Sequence, residues 1–328
     1  MALNRKMTRL AKASPEATAS AAVCLRAGGL VAMPTETVYG LAADATADAA
    51  VASIYAAKER PAINPLIAHV LDIAAAREQA VFSAEAETLA RAFWPGPLTL
   101  VLPVASSSRV SLLARAGLDT VAVRSPSHEI ARALIEAAGI PLAAPSANRS
   151  GRVSPTTAAH VAADLDGRVD WILDGGPCRY GLESTIVACL SSSPQLLRPG
   201  AITREAIESA LGSPIDPMSV SPRAPNAPGQ LPSHYAPRAE LRLEAASASS
   251  DEAVLDFGGS LKGATGARLD LSPSGDLIEA ASHLFSYLRA LDAAGATRIA
   301  VAPIPGHGLG AAINDRLCRA AAPRNVPR

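Results

Sequence analysis

Short apolar runs alternate with amphipathic stretches along the first two thirds of the chain, and this alternation predicts the secondary structure. The apolar runs predict strands at residues 30–33, 66–70, 98–104, 120–124, 141–144, 170–173 and 184–189. Between them, apolar residues at helical spacing predict helices at residues 15–27, 48–58, 84–93, 127–138 and 204–211, and a further helix that opens at Ser154 and Pro155. Strands that alternate with helices indicate an α/β domain over residues 15–211.

The pattern changes after residue 211. Residues 212–238 are rich in proline and have little apolar periodicity, which predicts an extended, semi-rigid linker. Beyond the linker, residues 239–328 return to α/β patterning, with strands predicted at 253–257 and 298–302 and helices at 276–294 and 311–321. We therefore expect a smaller second domain with a parallel sheet.

Composition and charge narrow the class of protein. The chain has 328 residues, of which 49% are hydrophobic, so it can bury a sizeable core. Its formal net charge of +0 provides no general attraction to nucleic acid or membranes. The four cysteines lie far apart and form no CxxC pair, which argues against a zinc site. No run of about 18 apolar residues occurs, so we expect a cytoplasmic protein without a membrane span.

Three polar clusters carry candidate chemistry, and each also has a purely structural interpretation. In the first cluster, Lys58 and Arg60 stand two positions apart and Asn64 follows. In an extended segment the two cations would project to one side, as a polyphosphate site requires. The alternative is a solvated helix end, which these residues alone favour, because cations are stabilised at a helix C-terminus.

The second cluster is APSANRSG at residues 144–151, followed by Ser154. Small hydroxyl residues and glycine allow the backbone to approach a ligand closely, and a helix capped by Ser154 would offer free N–H groups to an anion. An ordinary polar loop that ends in a helix cap is the alternative.

The third cluster is GLEST at residues 181–185, followed by Arg198, Pro199 and Gly200. An arginine held at a strand end by Pro-Gly is well placed to bind an anion, and Arg124 ends its predicted strand in the same way. The alternative is a charged residue that merely makes a strand end soluble.

Several common catalytic motifs do not occur in the sequence. It has no GxxxxGK[ST] phosphate loop, no HExxH metal pair and no GxSxG nucleophile turn. Residues 306–311, GHGLGA, fit the dinucleotide pattern GxGxxA, but no acidic residue follows about 20 positions later. We therefore interpret that segment as a tight turn.

In their order along the chain, the polar motifs resemble the YrdC/Sua5 family. The stretches that carry the resemblance are PTETVYGL, KERPAINPLIAHV, WPGPLTLVL, VAVRSP, APSANRSGRVSPT, GLESTIV and LLRPGAIT, which together span about residues 20–210. PGQLPSHYAP in the linker and GLGAAINDRLCRAA near the end are similar to the longer Sua5 type. Where some relatives have TSAN this chain has PSAN, and the proline removes one hydroxyl and one N–H.

The resemblance implies a fold and an activity. The implied fold is α/β, with a YrdC-like twisted mixed sheet in the catalytic domain, the linker as a lid, and a smaller Rossmann-like Sua5 domain. The implied activity is that of a nucleotidyltransferase, which joins L-threonine, bicarbonate and ATP into threonylcarbamoyl-AMP and releases pyrophosphate. Mg²⁺ would accompany ATP. The product would pass to a tRNA-modifying threonylcarbamoyl transferase that forms t6A37.

The resemblance also assigns roles to residues, with no side chain acting as a covalent nucleophile. The residues expected to bind ATP are Lys58, Arg60, Asn64, Thr120, Ser146, Asn148, Ser154, Arg198 and Tyr235. The residues expected to bind L-threonine are Thr35, Thr37, His69, Arg124, Ala144 and Ser184. The PTET threonines would form the floor of the threonine pocket, where a strand ends.

Two alternatives belong to other functional classes. The same concave fold could hold double-stranded RNA without catalysis, although the zero net charge argues against it. A carbamoyl transferase of hydrogenase maturation contains a related domain, but it also carries zinc-finger regions, and this chain has no CxxC pair.

Overall fold

The computed structural model describes residues 7–61, 64–191, 193–217, 234–263 and 266–323. Within these residues, the strands are β1 Arg9–Lys12, β2 Val31–Met33, β3 Gly40–Asp44, β4 Ile67–His69, β5 Leu98–Pro103, β6 Thr120–Arg124, β7 Leu142–Ala143, β8 Trp171–Asp174, β9 Thr185–Ala188, β10 Gln195–Arg198, β11 Asp216–Pro217, β12 Glu240–Arg242, β13 Ser247–Ala248, β14 Ala253–Asp256, β15 Lys262–Gly263, β16 Arg268–Asp270 and β17 Arg298–Val301. The helices are α1 Pro15–Arg26, α2 Asp48–Lys58, α3 Ile73–Arg77, α4 Ala84–Phe93, α5 Glu129–Ala138, α6 Ala158–Leu165, α7 Arg204–Leu211, α8 Leu277–Ala293 and α9 Leu309–Ala321.

A mixed sheet of eleven strands dominates the described part of the chain. Its strand order is β1-β8-β2-β3-β7-β4-β6-β5-β9-β10-β11. Strands β4 and β6 are parallel and place His69 directly opposite Arg124. Because β5 runs antiparallel to β6 and parallel to β9, the starts of β5 and β9 lie beside the ends of β4 and β6. This edge of the sheet therefore gathers side chains from distant parts of the sequence.

The second sheet is smaller and parallel, in the order β12-β17-β14-β16, with α8 and α9 among its helices. The prediction of an α/β fold with a mixed sheet and a small parallel sheet is confirmed. The two parts are in contact, because Val38, Val153 and Leu182 pack into the hydrophobic core of the second sheet. Gly181 allows this approach, since a Cβ there would lie 2.5 Å from the carbonyl oxygen of Ser282 on α8.

Helix ends follow the signals in the sequence. The Oγ of Thr203 accepts a hydrogen bond from the N–H of Ala206 at 3.2 Å, and Gly212 ends α7 in the left-handed region, as predicted. Ser14 caps α1 in the same way, ahead of Pro15.

Two local predictions are wrong. The helix predicted to open at Ser154 begins at Ala158 instead, with Thr157 as its N-cap. Ser154 does not cap the helix, because its hydroxyl is directed to Oε1 of Glu183, to which it donates at 2.6 Å. Lys58 and Arg60 do not share one face of an extended segment, because Lys58 ends α2 and Glu59 adopts a left-handed conformation.

The sequence pattern also missed several short elements, among them β1, β3, α3 and the strands β11, β12, β13, β15 and β16. Strand β1 is short and largely exposed, β3 is built from small residues that follow a polar motif, and α3 has only one turn of chain around three alanines. Of the linker predicted over residues 212–238, residues 218–233 lie outside the described part of the chain.

Candidate active site

A pocket opens at the edge of the large sheet where β4 and β6 end and β9 begins. Its volume is about 550 Å³, including space open to solvent. The six residues expected to bind threonine all line it, namely Thr35, Thr37, His69, Arg124, Ala144 and Ser184. Four of the residues expected to bind ATP also line it: Arg60, Ser146, Arg198 and Tyr235. The fold thus brings together side chains that are up to 200 positions apart in the sequence.

Arg124 is held on three sides at the bottom of this pocket. Its Nη2 donates to Oε1 of Glu36 at 2.6 Å, its Nη1 donates to Oγ1 of Thr37 at 3.0 Å, and its Nε donates to the carbonyl of Gly96 at 3.4 Å. The guanidinium is therefore fixed in position before any ligand binds.

The two threonines of PTET form a hydrogen-bonded chain with Arg124. The hydroxyl of Thr35 donates to the carbonyl of Val38 at 2.6 Å, and the Oγ1 atoms of Thr35 and Thr37 lie 2.8 Å apart. Because the only proton of the Thr35 hydroxyl is used, Thr37 donates to Thr35. Thr37 accepts from Arg124 and keeps one lone pair for a further donor.

Ser184 and Arg198 form a second fixed group. The Ser184 hydroxyl lies 2.7 Å from Oγ1 of the buried Thr99, and Nη2 of Arg198 donates to the Ser184 carbonyl at 2.9 Å and to its hydroxyl at 3.1 Å. Gly200 permits this arrangement, because a Cβ there would lie 2.5 Å from the Glu183 carbonyl oxygen and the Thr185 nitrogen.

The remaining residues expected to bind ATP do not line the pocket. Lys58 is buried, and its Nζ donates to the carbonyls of Ser146 and Asn148, both at 2.5 Å. It therefore holds residues 146–148, which we call the SAN loop, in place. Asn148 donates within its own loop, and Ser154 is bonded to Glu183. Thr120 begins β6, about 13 Å along the strand from Arg124.

Buried polar atoms without hydrogen-bond partners cluster in this region. Among the described residues, these atoms include Nε of Arg60, both side-chain polar atoms of Asn64, Oδ1 of Asn148 and Nδ1 of His234. Buried polar groups are normally satisfied, because leaving one unpaired is costly. Of these residues Arg60 and His234 line the pocket, so a polar ligand bound there would be close to their unpaired atoms.

Burial sets the charges of the ionisable groups. Burial, and then the nearby Arg124, lower the pKa of His69 to about 3, so its imidazole is neutral at pH 7. Burial lowers the pKa of Arg60 to about 10, which leaves the guanidinium charged. Burial is the largest influence and would raise the pKa of Glu36, but the charge of Arg124, its hydrogen bond and backbone hydrogen bonds together outweigh burial, and the net shift of this pKa is downward.

The second domain reaches this pocket through helices α8 and α9. Tyr235 stacks on Phe285 of α8 with ring centroids 5.5 Å apart, and the guanidinium carbon of Arg316 on α9 lies 5.3 Å from the Tyr235 ring. Nε of Arg316 donates to Oε2 of Glu183 at 2.8 Å. The sequence interpretation gave no role to Glu36, Glu183 or Arg316, although all three lie within the motifs that carry the resemblance.

Two further features concern the described residues as a whole. They contain no group of three or more His, Cys, Asp or Glu side chains that could hold a metal ion. None of the helices described is both long enough and apolar enough to cross a membrane.

Comparison with protein families finds two matches that cover most of the chain. The family model Sua5_yciO_yrdC, described as "Telomere recombination", matches residues 23–200. The family model described as "Threonylcarbamoyl-AMP synthase, C-terminal domain" matches residues 202–322.

Relatives of similar length are alike along nearly the whole sequence. The chain is 43% identical over 329 residues to the threonylcarbamoyl-AMP synthase of Bacillus subtilis (strain 168), and the alignment covers 94% of each protein. It is 43% identical over 326 residues to the enzyme of that name from Pyrococcus abyssi (strain GE5 / Orsay), covering 93% of this chain and 94% of that one. The crystal structure of P. abyssi Sua5 complexed with L-threonine superposes with a TM-score of 0.87 at 39% identity, covering 96% of this chain and 97% of that one.

Proposed function

The chain belongs to the Sua5/YrdC family and synthesises threonylcarbamoyl-AMP with the use of ATP, and we propose that the pocket around Arg124 and Arg198 is where this nucleotidyl transfer takes place. One observation carries the assignment. Every residue expected to bind threonine lines a single pocket that also holds two further arginines, Arg60 and Arg198.

L-Threonine would bind at the Arg124 end of the pocket. The Arg124 guanidinium would pair with the substrate carboxylate, since arginine presents two parallel N–H groups to a planar anion. The lone pair left on Thr37 would accept from a substrate donor, and we therefore assign the contact to Thr37 before Thr35. The neutral His69, the Ala144 backbone and Ser184 would complete the threonine site.

ATP would bind beside Arg60 and His234, which line the pocket and carry unpaired polar atoms. Arg60 and Arg198 would neutralise the phosphates, with Ser146 and Tyr235 also in reach of the ligand. Asn64 and Asn148 are buried and do not line the pocket, so they would contact ATP only if the nucleotide extends beyond the pocket to their unpaired side-chain atoms. Lys58 and Ser154 would act by holding the SAN loop and Glu183 in place, and Thr120 would contact ATP only if the nucleotide extends along the face of β6.

The reaction needs positioning and charge neutralisation more than a reactive side chain. The threonine ammonium group first loses a proton, the resulting amine adds to the carbon of bicarbonate, water leaves, and a carbamate forms. A carbamate oxygen then attacks the α-phosphorus of ATP, and the bond to pyrophosphate breaks. Two anions must meet in this step, so fixed guanidinium groups lower the barrier by stabilising the developing charge.

Mg²⁺ would enter with ATP. The part of the structure that is described offers no cluster of acidic side chains for a resident ion, so the ligands would come from the phosphates. When bound, the ion would offset the charge of the triphosphate.

The remaining assignments rest on the family resemblance. We propose a catalytic domain at residues 15–211, a linker at 212–238 and a second domain at 239–328. We also propose that the enzyme works in the cytoplasm, where ATP and tRNA are present. Its product would be consumed by a transferase that forms t6A37 on tRNA.

Pyrophosphate release from ATP and Mg²⁺ tests the proposal, with threonine and bicarbonate each omitted in turn. We expect release only when both are present, and loss of release in EDTA. Wild-type release in Arg60→Ala and Arg198→Ala variants that remain folded would contradict the proposed site. Absence of any release, together with salt-sensitive RNA binding, would favour the RNA-binding alternative.

A further inference from the structure

Glu36 lies in the middle of PTET, yet it does not line the pocket. Its side chain is only 5% exposed, and it lies behind Arg124, with Nη2 of Arg124 at 2.6 Å from Oε1. The second carboxylate oxygen, Oε2, is buried and has no hydrogen-bond partner among the described residues. Burying a carboxylate costs free energy unless it is well paired. A single ion pair therefore contributes little net stability to the fold, and stability alone does not explain why Glu36 is buried here.

The N–H groups of Arg124 indicate what the pair achieves. A guanidinium has five N–H groups, and three of them are used by Glu36, Thr37 and the carbonyl of Gly96. One N–H remains on each of the two terminal nitrogens. Two N–H groups on neighbouring nitrogens are the fork that binds a carboxylate through both oxygens.

We infer that Glu36 is a positioning residue for the threonine substrate: through its ion pair with Arg124 it orients the guanidinium so that the two remaining N–H groups face the substrate carboxylate. This inference rests on the proposed function, because it assumes that Arg124 binds that carboxylate. Thr37 and Gly96 assist, but each accepts through a neutral oxygen, and charge-assisted hydrogen bonds are the stronger ones.

An opposing effect must be weighed, because Glu36 carries a negative charge near the site of an anion. If only its charge mattered, removing it would strengthen threonine binding. Orientation predicts the reverse, since a guanidinium that loses its strongest partner can rotate toward other acceptors. The two effects therefore predict opposite signs for Glu36→Ala.

The test is steady-state pyrophosphate release at saturating ATP, Mg²⁺ and bicarbonate with threonine varied. For Glu36→Ala we expect the KM for threonine to rise about tenfold or more, with the KM for ATP within about twofold of wild type. Glu36→Gln keeps an acceptor beside Nη2 and should fall between wild type and Glu36→Ala. In an Arg124→Ala background, Glu36→Ala should add little, because its effect passes through Arg124.

Glu252→Ala is the matched control. Glu252 is also buried and pairs with an arginine, Arg242, at 2.6 Å, but it lies beside the second sheet. It should reproduce the general cost of losing a buried carboxylate while leaving the KM for threonine unchanged.

The outcomes separate this inference from the proposed function. A KM for threonine that is unchanged or lower in Glu36→Ala would overturn the inference, as would an equal rise in the KM values for threonine and ATP. Failure of the wild-type enzyme to require threonine would instead overturn the proposed function. If Glu36→Ala does not fold, Glu36→Gln decides. A wild-type KM for threonine in Glu36→Gln would then overturn the inference, because loss of the carboxylate charge would have had no effect on threonine binding.

Discussion

At the scale of single residues, the pocket depends on arginines whose positions are fixed by neutral oxygens and buried acids. Arg124 is held by a hydroxyl, a carbonyl and a carboxylate, and Arg198 is held by the carbonyl and hydroxyl of Ser184. Fixing a cation before the substrate arrives removes the cost of ordering it during the reaction. The identity of these residues, and not only their charge, should therefore matter.

Arg124→Lys tests this dependence on geometry. Lysine keeps the positive charge but cannot reach Glu36, Thr37 and the substrate carboxylate through one planar fork. We expect kcat/KM for threonine to fall about 10- to 100-fold, equivalent to about 1.4 to 2.7 kcal/mol, while binding of ATP is retained. The measurement is pyrophosphate release with each substrate varied. A lysine variant with wild-type kcat/KM would show that charge alone is sufficient.

His69 makes the stability of the fold depend on pH. Its folded pKa of about 3 lies below the ordinary value near 6.5, so the fold favours the neutral imidazole. The stability associated with this preference is fully present above about pH 6.5 and is lost as the pH falls toward 3. Between pH 7 and 5, His69 alone should lower the free energy of unfolding by about 2 kcal/mol.

Urea denaturation of wild type and His69→Gln at pH 7 and pH 5 measures this contribution. The variant should lose less stability than the wild type over the same pH interval. His160, whose pKa burial lowers to about 4, contributes in both proteins and cancels in the comparison. Equal losses in the two proteins would contradict a neutral, buried His69.

At the scale of elements, the sequence predicts most of what the structure contains, and the misses have physical causes. Helices such as α4 and α7 were predicted to their ends, because periodic apolar residues and capping side chains agree there. The start of α6 was misplaced because Ser154 and Thr157 are both suitable caps, and only the tertiary bond to Glu183 decides between them. Pattern alone cannot reveal a long-range hydrogen bond.

The candidate site was also predicted only in part from the sequence. Motifs identified which residues are polar and close to strand ends, and the fold gathers Arg124, His69 and Ser184 at one edge. The motifs alone could not show that the Lys58 side chain points at the carbonyls of the SAN loop. The direction of that side chain depends on where α2 ends and on the left-handed backbone of Glu59. Partners such as Glu36 and Arg316 became apparent only from three-dimensional contacts.

Gly200 shows how one turn controls the site. A Cβ at this position would lie 2.5 to 2.6 Å from three backbone atoms of residues 183–185, which cannot move as a flexible side chain could. Gly200→Ala should displace Arg198 from Ser184, lower the rate of pyrophosphate release at least about tenfold, and destabilise the fold by about 1 to 3 kcal/mol.

Gly306→Ala is the control for this change, because a Cβ at Gly306 would meet nothing within 4 Å. It should leave both the rate and the free energy of unfolding near the wild-type values. Full activity in Gly200→Ala would mean that the contact between this turn and Ser184 is not needed for turnover.

At the scale of the whole molecule, the second domain is part of the structure that surrounds the pocket. Arg289 on α8 bonds to Asp164 at 2.7 Å, Arg316 on α9 bonds to Glu183 at 2.8 Å, and apolar residues of the first domain complete the second core. Glu183 lines the pocket next to Ser184. A change at α9 should therefore alter the pocket that we propose as the substrate site.

Arg316→Met tests this connection in the full-length chain. The change keeps an apolar side chain of similar length but leaves Glu183 buried without its ion-pair partner, which should cost about 3 to 5 kcal/mol in the free energy of unfolding. Because Ser184 adjoins Glu183, we also expect pyrophosphate release to fall at least about tenfold under conditions where the variant remains folded. Arg298→Met is the control, since its ion pairs with Asp251 and Glu252 are partly exposed and should contribute about 0 to 1 kcal/mol. If Arg316→Met lost stability but kept the wild-type rate, the second domain would support the fold of the pocket without shaping its chemistry.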